Sequence, residues 1–149
     1  MDLDALRPEL ERLFQAHPVR LAYLFGSHAA GRAHADSDVD VAVLLDEHLT
    51  ADERFAQRLE LIGELMRVFR TEDVDVVILN EAPPALAYEV LRGGRVLFRR
   101  DEQARIEYAA RTLREYWDTA PLRRIRAEAL ERRVRSGQFG QPAVTKHPG

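Results

Sequence analysis

Residues 20–45 read RLAYLFGSHAAGRAHADSDVDVAVLL. Two apolar runs, RLAYLF at 20–25 and DVDVAVLL at 38–45, flank a small and polar stretch that opens on Gly26-Ser27. The first run suits a buried strand, and the second, rich in β-branched residues, suits another. Gly26-Ser27 breaks the first strand and can begin a helical turn with Ser27 as its N-cap. Side chains alternate along a strand, so Asp38 and Asp40 project from one face. Two ionised carboxylates side by side repel each other, and burying them is costly. A bound divalent cation removes that conflict. Hard oxygen ligands suit Mg²⁺, which takes one or two carboxylates and completes its octahedron with water and substrate phosphates.

A third acid extends the pattern. Residues 73–79, DVDVVIL, form a third Val-rich strand in which Asp75 is again out of place as filler. If Asp38, Asp40 and Asp75 converge, they supply the inventory for metal-assisted phosphoryl or nucleotidyl transfer. The acid nearest the attacking hydroxyl could take its proton. Asp75 is the expected base, and Asp73, at the strand start, is the other candidate. Gly26-Ser27 fits the phosphate end: glycine lets a backbone come close, a helix N-terminus offers N–H groups to an anion, and the Ser27 hydroxyl can add a donor. Arg32 reads either as a further phosphate contact or as a solvated loop arginine.

This constellation constrains topology. Gly26-Ser27 ends the first strand and Asp38 opens the second, so both reach one ligand only if those strands run antiparallel. Asp75 lies near the start of the third strand, which must then run parallel to the second. Parallel neighbours need a crossover, and the helix predicted over 51–70 provides it.

Around this centre the remaining elements follow from periodicity. Leu3, Leu6, Leu10, Leu13 and Phe14 predict an amphipathic helix over 3–16, ended by His17-Pro18. Thr50 with Glu53 forms a capping-box pattern for the crossover helix, whose inner face is expected to carry Phe55, Leu59, Ile62, Leu65, Met66 and Phe69. Pro83-Pro84 and Gly93-Gly94 bracket a short helix over 84–92, and RVLFR at 95–99 predicts a fourth strand. From residue 101 the pattern is helical through Ile106, Ala109, Leu113 and Tyr116-Trp117, with Pro121 interrupting it and a second helical piece running to about 135. His28 and His34, beside the site, read as solvent-exposed loop residues, with a metal role as the other reading. Tyr23, Tyr88 and Leu91 read as packing, and Tyr116 and Trp117 as core or partner interface. The expected domain organisation is a catalytic domain over 1–101, a C-terminal helical extension of it over 102–135, and a disordered tail over 136–149.

The 149 residues are 46% apolar and 32% charged, enough for one domain with a core and an ionic surface. With no cysteine, disulfides and thiolate metal sites are excluded. The start, MDLDALRPEL, is acidic and amphipathic and unlike a signal peptide, and no stretch approaches the length of a membrane span. These features predict a cytoplasmic protein with no membrane association. Residues 105–135 hold nine arginines against five acids, although the whole chain has a net charge of −3. That segment reads as a solvated, ion-paired helix or as a surface for an acidic partner, and the acidic remainder argues against a nucleic-acid binder.

LFGS at 24–27, Gly31, SDVD at 37–40 and VDVV at 74–77 resemble the polymerase-β-type nucleotidyltransferase superfamily, whose signature is Gly-Ser, a spacer and Asp-x-Asp. The phrase GGRVLFRRD at 93–101 is similar to the segment that follows the core in its minimal, single-domain members. The resemblance implies an α+β polymerase-β-like fold: a small mixed β-sheet packed by helices, with a C-terminal helical extension. It also implies that Asp38, Asp40 and Asp75 are catalytic and bind Mg²⁺, that Gly26 and Ser27 contact ATP, and that Arg32 can assist. Many minimal members are antitoxins that transfer AMP from ATP to a tyrosine of a HEPN-type toxin, in a hetero-oligomer. The family often has arginine at the positions of His28 and Ala30, where this chain has none. The other readings are an enzyme acting on a small alcohol of the aminoglycoside type, and an antitoxin that acts by binding alone.

Overall fold

The structure, a computed structural model, describes residues 2–30, 38–122, 124 and 129. The elements run α1 Leu3–Gln15, β1 Val19–Phe25, α2 Ser27–Ala30, β2 Val39–Leu45, α3 Ala51–Phe69, β3 Val74–Ile78, α4 Pro84–Gly93, β4 Arg95–Arg99 and α5 Glu102–Asp118, with a 3₁₀ turn Leu79–Glu81 after β3. The four strands form one mixed sheet in the order β3-β2-β1-β4. β1 pairs antiparallel with both β2 and β4, while β2 and β3 run parallel, as the convergence argument requires. The expected strands and helices are present, with ends that differ by a residue or two. Leu79 leaves β3 for the 3₁₀ turn, where Asn80 takes over the pairing: its Oδ1 accepts from the Leu45 N–H at 2.8 Å and its Nδ2 donates to the Leu45 carbonyl at 2.9 Å.

The sheet is buried on both faces, which is why β1 and β2 read as nearly continuous apolar runs. On one face Leu10 and Phe14 of α1 and Leu61 and Leu65 of α3 pack over Val41, Val43 and Val76. On the other, Leu21, Tyr23, Ala42 and Leu44 meet Ala87 and Val90 of α4 and Tyr108 of α5. A fully buried aliphatic or aromatic side chain contributes roughly 1.5–3 kcal/mol relative to exposure, so these contacts hold the sheet in place. The alternation puts Asp40 and Asp75 on the α4 side, because Val39, Val41, Val74 and Val76 face α1 and α3.

α3 begins as its sequence predicts. Thr50 Oγ1 accepts from the Glu53 N–H at 3.2 Å, and Glu53 Oε1 accepts from the Thr50 N–H at 2.8 Å. Its inner face carries Ile62, Leu65 and Phe69 as expected, but differs in the first half of the helix. Leu61, Leu65 and Val68 are buried, whereas Phe55 and Leu59 are 59% and 52% exposed. In the first half of the helix the inward positions belong to Arg54, Gln57 and Arg58, which reach Glu81, His17 and β3 by hydrogen bonds. The apolar residues between them therefore turn outward. α5 is rotated in the same sense. Ala104, Tyr108 and Thr112 form the buried stripe, and Ile106, Leu113 and Trp117 are exposed.

His17, between α1 and β1, is buried and ties that turn to α3: Nδ1 lies 2.8 Å from Gln57 Oε1 and Nε2 lies 2.9 Å from Glu64 Oε2. From the end of β4, Arg100 donates to the carbonyls of Phe14, His17 and Val19. The chain divides into two compact units, Met1–Leu113 and Arg114–Gly149. In the second, Tyr116 and Trp117 meet edge to face at 5.4 Å, and residues 120–122 resume helix after a turn at Thr119, as Pro121 at a new helix start allows. The expected helical piece to 135 falls mostly outside the described residues, and the expected disordered tail falls wholly outside them.

Candidate active site

Gly26 closes β1 with φ +77°, in the left-handed region that favours glycine. That kink turns the chain into α2, as expected, but Ser27 is the first residue of the helix rather than its N-cap. Phe25, the last residue of β1, is paired with Asp40, so the Gly26 turn lies against the Asp40 side chain. The approach is tight: a β-carbon on Gly26 would stand 2.6 Å from Asp40 Oδ2. Glycine is required here twice over, by its backbone angle and by the carboxylate beside it.

The parallel register sets Asp40 directly opposite Asp75, so both carboxylates rise from the same face of adjacent strands. Asp38 lies just before β2 and is exposed. Asp40 is half-buried, and its pKa is raised above the ordinary carboxylate value. Burial is the largest cause, followed by the charges of Asp38 and Asp75, with His28 acting in the opposite direction. Asp38 and Asp75 therefore both act on Asp40 at one end of the sheet. Repulsion of this kind is what a divalent cation relieves, and an all-oxygen donor set suits Mg²⁺. The residues present fit such an ion.

Asp75 is held by a residue that sequence reading did not single out. Arg58 of α3 donates from Nη2 to Asp75 Oδ1 at 3.0 Å and from Nε to the Val76 carbonyl at 2.7 Å. The signal for it was faint: an arginine on the inward stripe of a helix that crosses beside an acid-bearing edge strand. Among the described residues, the trio of ligating side chains drawn within 4.8 Å of one another is His17, Glu60 and Glu64. That trio lies at the opposite end of β1, and its histidine is already hydrogen-bonded on both ring nitrogens.

Of the expected site residues, Gly26 lies against Asp40, Asp75 stands across the register from Asp40, Asp38 is near enough for its charge to act on Asp40, and Ser27 follows Gly26 at the start of α2. Arg32 and His34 lie outside the described residues. Asp73 precedes β3, where its carbonyl accepts from the Val39 N–H at 2.8 Å and its own N–H donates to Thr71 Oγ1 at 3.1 Å. His28 is not a solvated loop residue. It sits half-buried on α2, close enough for its charge to act on Asp40. Tyr23 is core, as expected, and burial raises its pKa.

Comparison with known proteins agrees with this fold. The family described as polymerase beta, nucleotidyltransferase, matches residues 9–103. The chain is 32% identical over 98 residues to a protein adenylyltransferase MntA of Shewanella oneidensis, an alignment that spans 66% of each. It is 28% identical over 118 residues to a protein adenylyltransferase MntA of Aphanizomenon flos-aquae, spanning 76% of this chain and 79% of that one. A crystal structure of a toxin–antitoxin with AMP-PNP superposes with a TM-score of 0.70 at 26% identity, covering 88% of this chain and 99% of that chain. In sequence and fold, this chain belongs to the polymerase-β nucleotidyltransferase family.

Proposed function

We propose that this protein is an antitoxin that transfers AMP from ATP to a tyrosine hydroxyl of a HEPN-type partner, with which it forms a hetero-oligomer in the cytoplasm. The observation that carries the reading is the end of the sheet where Gly26 backs onto Asp40 and Asp75 stands across the register. The relatives named protein adenylyltransferase and the toxin–antitoxin structure with AMP-PNP support it. Among the described residues no helix is long and apolar enough to cross a membrane.

In this reading Gly26 and Ser27 hold the triphosphate by backbone N–H groups and the Ser27 hydroxyl, with Arg32 assisting. Asp38, Asp40 and Asp75 hold Mg²⁺, which supplies Lewis-acid stabilisation of charge on the phosphates when bound. Asp75 accepts the proton of the attacking tyrosine. The tyrosine oxygen forms a bond to the α-phosphorus, the bond from that phosphorus to the bridging oxygen breaks, and pyrophosphate leaves. The domain organisation proposed with it is a catalytic core over 1–101 with a helical extension over 102–135.

The test is transfer of label from α-labelled ATP to a co-expressed HEPN-type partner. Wild type labels the partner, whereas Asp75→Asn and a partner with its acceptor tyrosines replaced by phenylalanine give none. Undiminished labelling by Asp75→Asn sinks the assignment of the base.

A further inference from the structure

We propose that Arg58 is the positioning residue for Asp75; this rests on the reading of Asp75 given above. Two donors converge on one oxygen of that carboxylate. Arg58 Nη2 donates to Oδ1 at 3.0 Å, and the Val76 N–H donates to the same oxygen at 2.9 Å. The second oxygen, Oδ2, is the one left to meet the proton or the ion. Asp75 needs such a brace, because its side chain is 56% exposed on an edge strand and would otherwise sample several rotamers.

The brace is specific to arginine. Nε and Nη2 lie along one edge of the guanidinium, and that edge spans the Val76 carbonyl at 2.7 Å and Asp75 Oδ1. The backbone of β3 thus fixes the plane of the fork, and the fork fixes the carboxylate. A lysine offers a point charge that cannot hold both acceptors in that geometry. The anchor for Arg58 is also firm, since α3 is capped at Thr50 and buried through Leu61 and Leu65. Placement of a catalytic group matters steeply: a misplacement of about 1 Å can cost on the order of a hundredfold in rate.

Arg54 provides an internal control. It lies one turn earlier on α3 and makes a similar pair of bonds, from Nε to Glu81 Oε2 at 2.6 Å and from Nη1 to the Leu49 carbonyl at 2.9 Å. It touches none of the three aspartates in those bonds. A loss that came only from weakening α3 would therefore appear in Arg54→Gln as well.

The experiment compares Arg58→Gln, Arg58→Lys, Arg54→Gln and Asp75→Asn for transfer of AMP to the partner and for Mn²⁺ affinity, measured by electron paramagnetic resonance with AMP-PNP bound. Expected are a fall in kcat of roughly tenfold to a hundredfold for both Arg58 variants, with KM for ATP within about twofold. Mn²⁺ binding should weaken several-fold in Arg58→Gln and stay unchanged in Arg54→Gln. In an Asp75→Asn background, Arg58→Gln should weaken Mn²⁺ binding no further, because it acts through that carboxylate. Wild-type kcat in Arg58→Gln beside an inactive Asp75→Asn overturns the role of Arg58 and leaves the site intact. An active Asp75→Asn overturns the reading of the site itself. If Arg58→Gln does not fold, Arg58→Lys, which keeps stem and charge, decides: wild-type kcat in that variant refutes the requirement for the fork.

Discussion

Gly26 and Asp40 are in direct approach: the space where a β-carbon on residue 26 would sit lies 2.6 Å from Oδ2 of Asp40. Gly26→Ala must therefore either push the carboxylate aside or move the turn that begins α2. It also places an alanine at φ +77°, which costs roughly 1–2 kcal/mol by itself. We expect a folded protein with a lowered Tm and a loss of transfer much larger than the stability loss accounts for. Thermal unfolding and a transfer assay on the same preparation check this. A variant with a lowered Tm and full activity would show that the close approach matters to the fold alone.

Asp40→Asn separates function from stability. The folded-state pKa of Asp40 is raised, chiefly by burial and then by Asp38 and Asp75. The folded chain thus holds that proton more tightly than the unfolded chain does. The resulting stabilisation is fully present below the unfolded pKa and is lost as pH rises through the folded one. In metal-free protein at neutral pH, Asp40→Asn should raise Tm while abolishing transfer. The difference in Tm between variant and wild type should shrink as pH is lowered into the carboxylate range.

The same shift predicts the acid limb of activity. Transfer needs Asp40 ionised, so the rate should fall at a higher pH than an ordinary carboxylate would set. Protons and a divalent cation compete for that oxygen, and raising Mg²⁺ should move the limb to lower pH. Rate profiles at two Mg²⁺ concentrations measure it. A limb that does not move with Mg²⁺ would place the titration elsewhere.

Much of this arrangement was legible in the chain itself. The period-2 pattern of 38–45 put Asp38 and Asp40 on one face, and Gly26-Ser27 marked the turn. The requirement that Asp75 join them forced an antiparallel pair beside a parallel one, as the sheet has. The second half of the α3 face was legible, with Ile62, Leu65 and Phe69 against the core, but its first half and the face of α5 were not. Hydropathy assigns Phe55 and Leu59 inward, but the inward stripe of α3 continues through Arg54, Gln57 and Arg58, whose value lies in partners distant in sequence. For the same reason Arg58 went unseen. A hydrogen bond around the edge of β3 leaves no periodic trace.

Arg70 offers a stability prediction far from the chemistry. It caps α3 in the left-handed region, with φ 57° and ψ 43°. That position favours glycine, and relieving it contributes roughly 0.5–1 kcal/mol. Arg70→Gly should raise Tm by about 2–5 °C without changing the transfer rate. A lowered Tm would mean that the Arg70 side chain contributes more than its backbone costs.

The most direct test of the central claim is intact mass spectrometry of the co-purified HEPN-type partner after incubation with ATP and Mg²⁺, using wild type and Asp38→Ala/Asp40→Ala. The account predicts additions of the mass of AMP on the partner with wild type and none with the double variant. Equal additions with both proteins, or a partner that binds tightly and gains no mass from wild type, would contradict it.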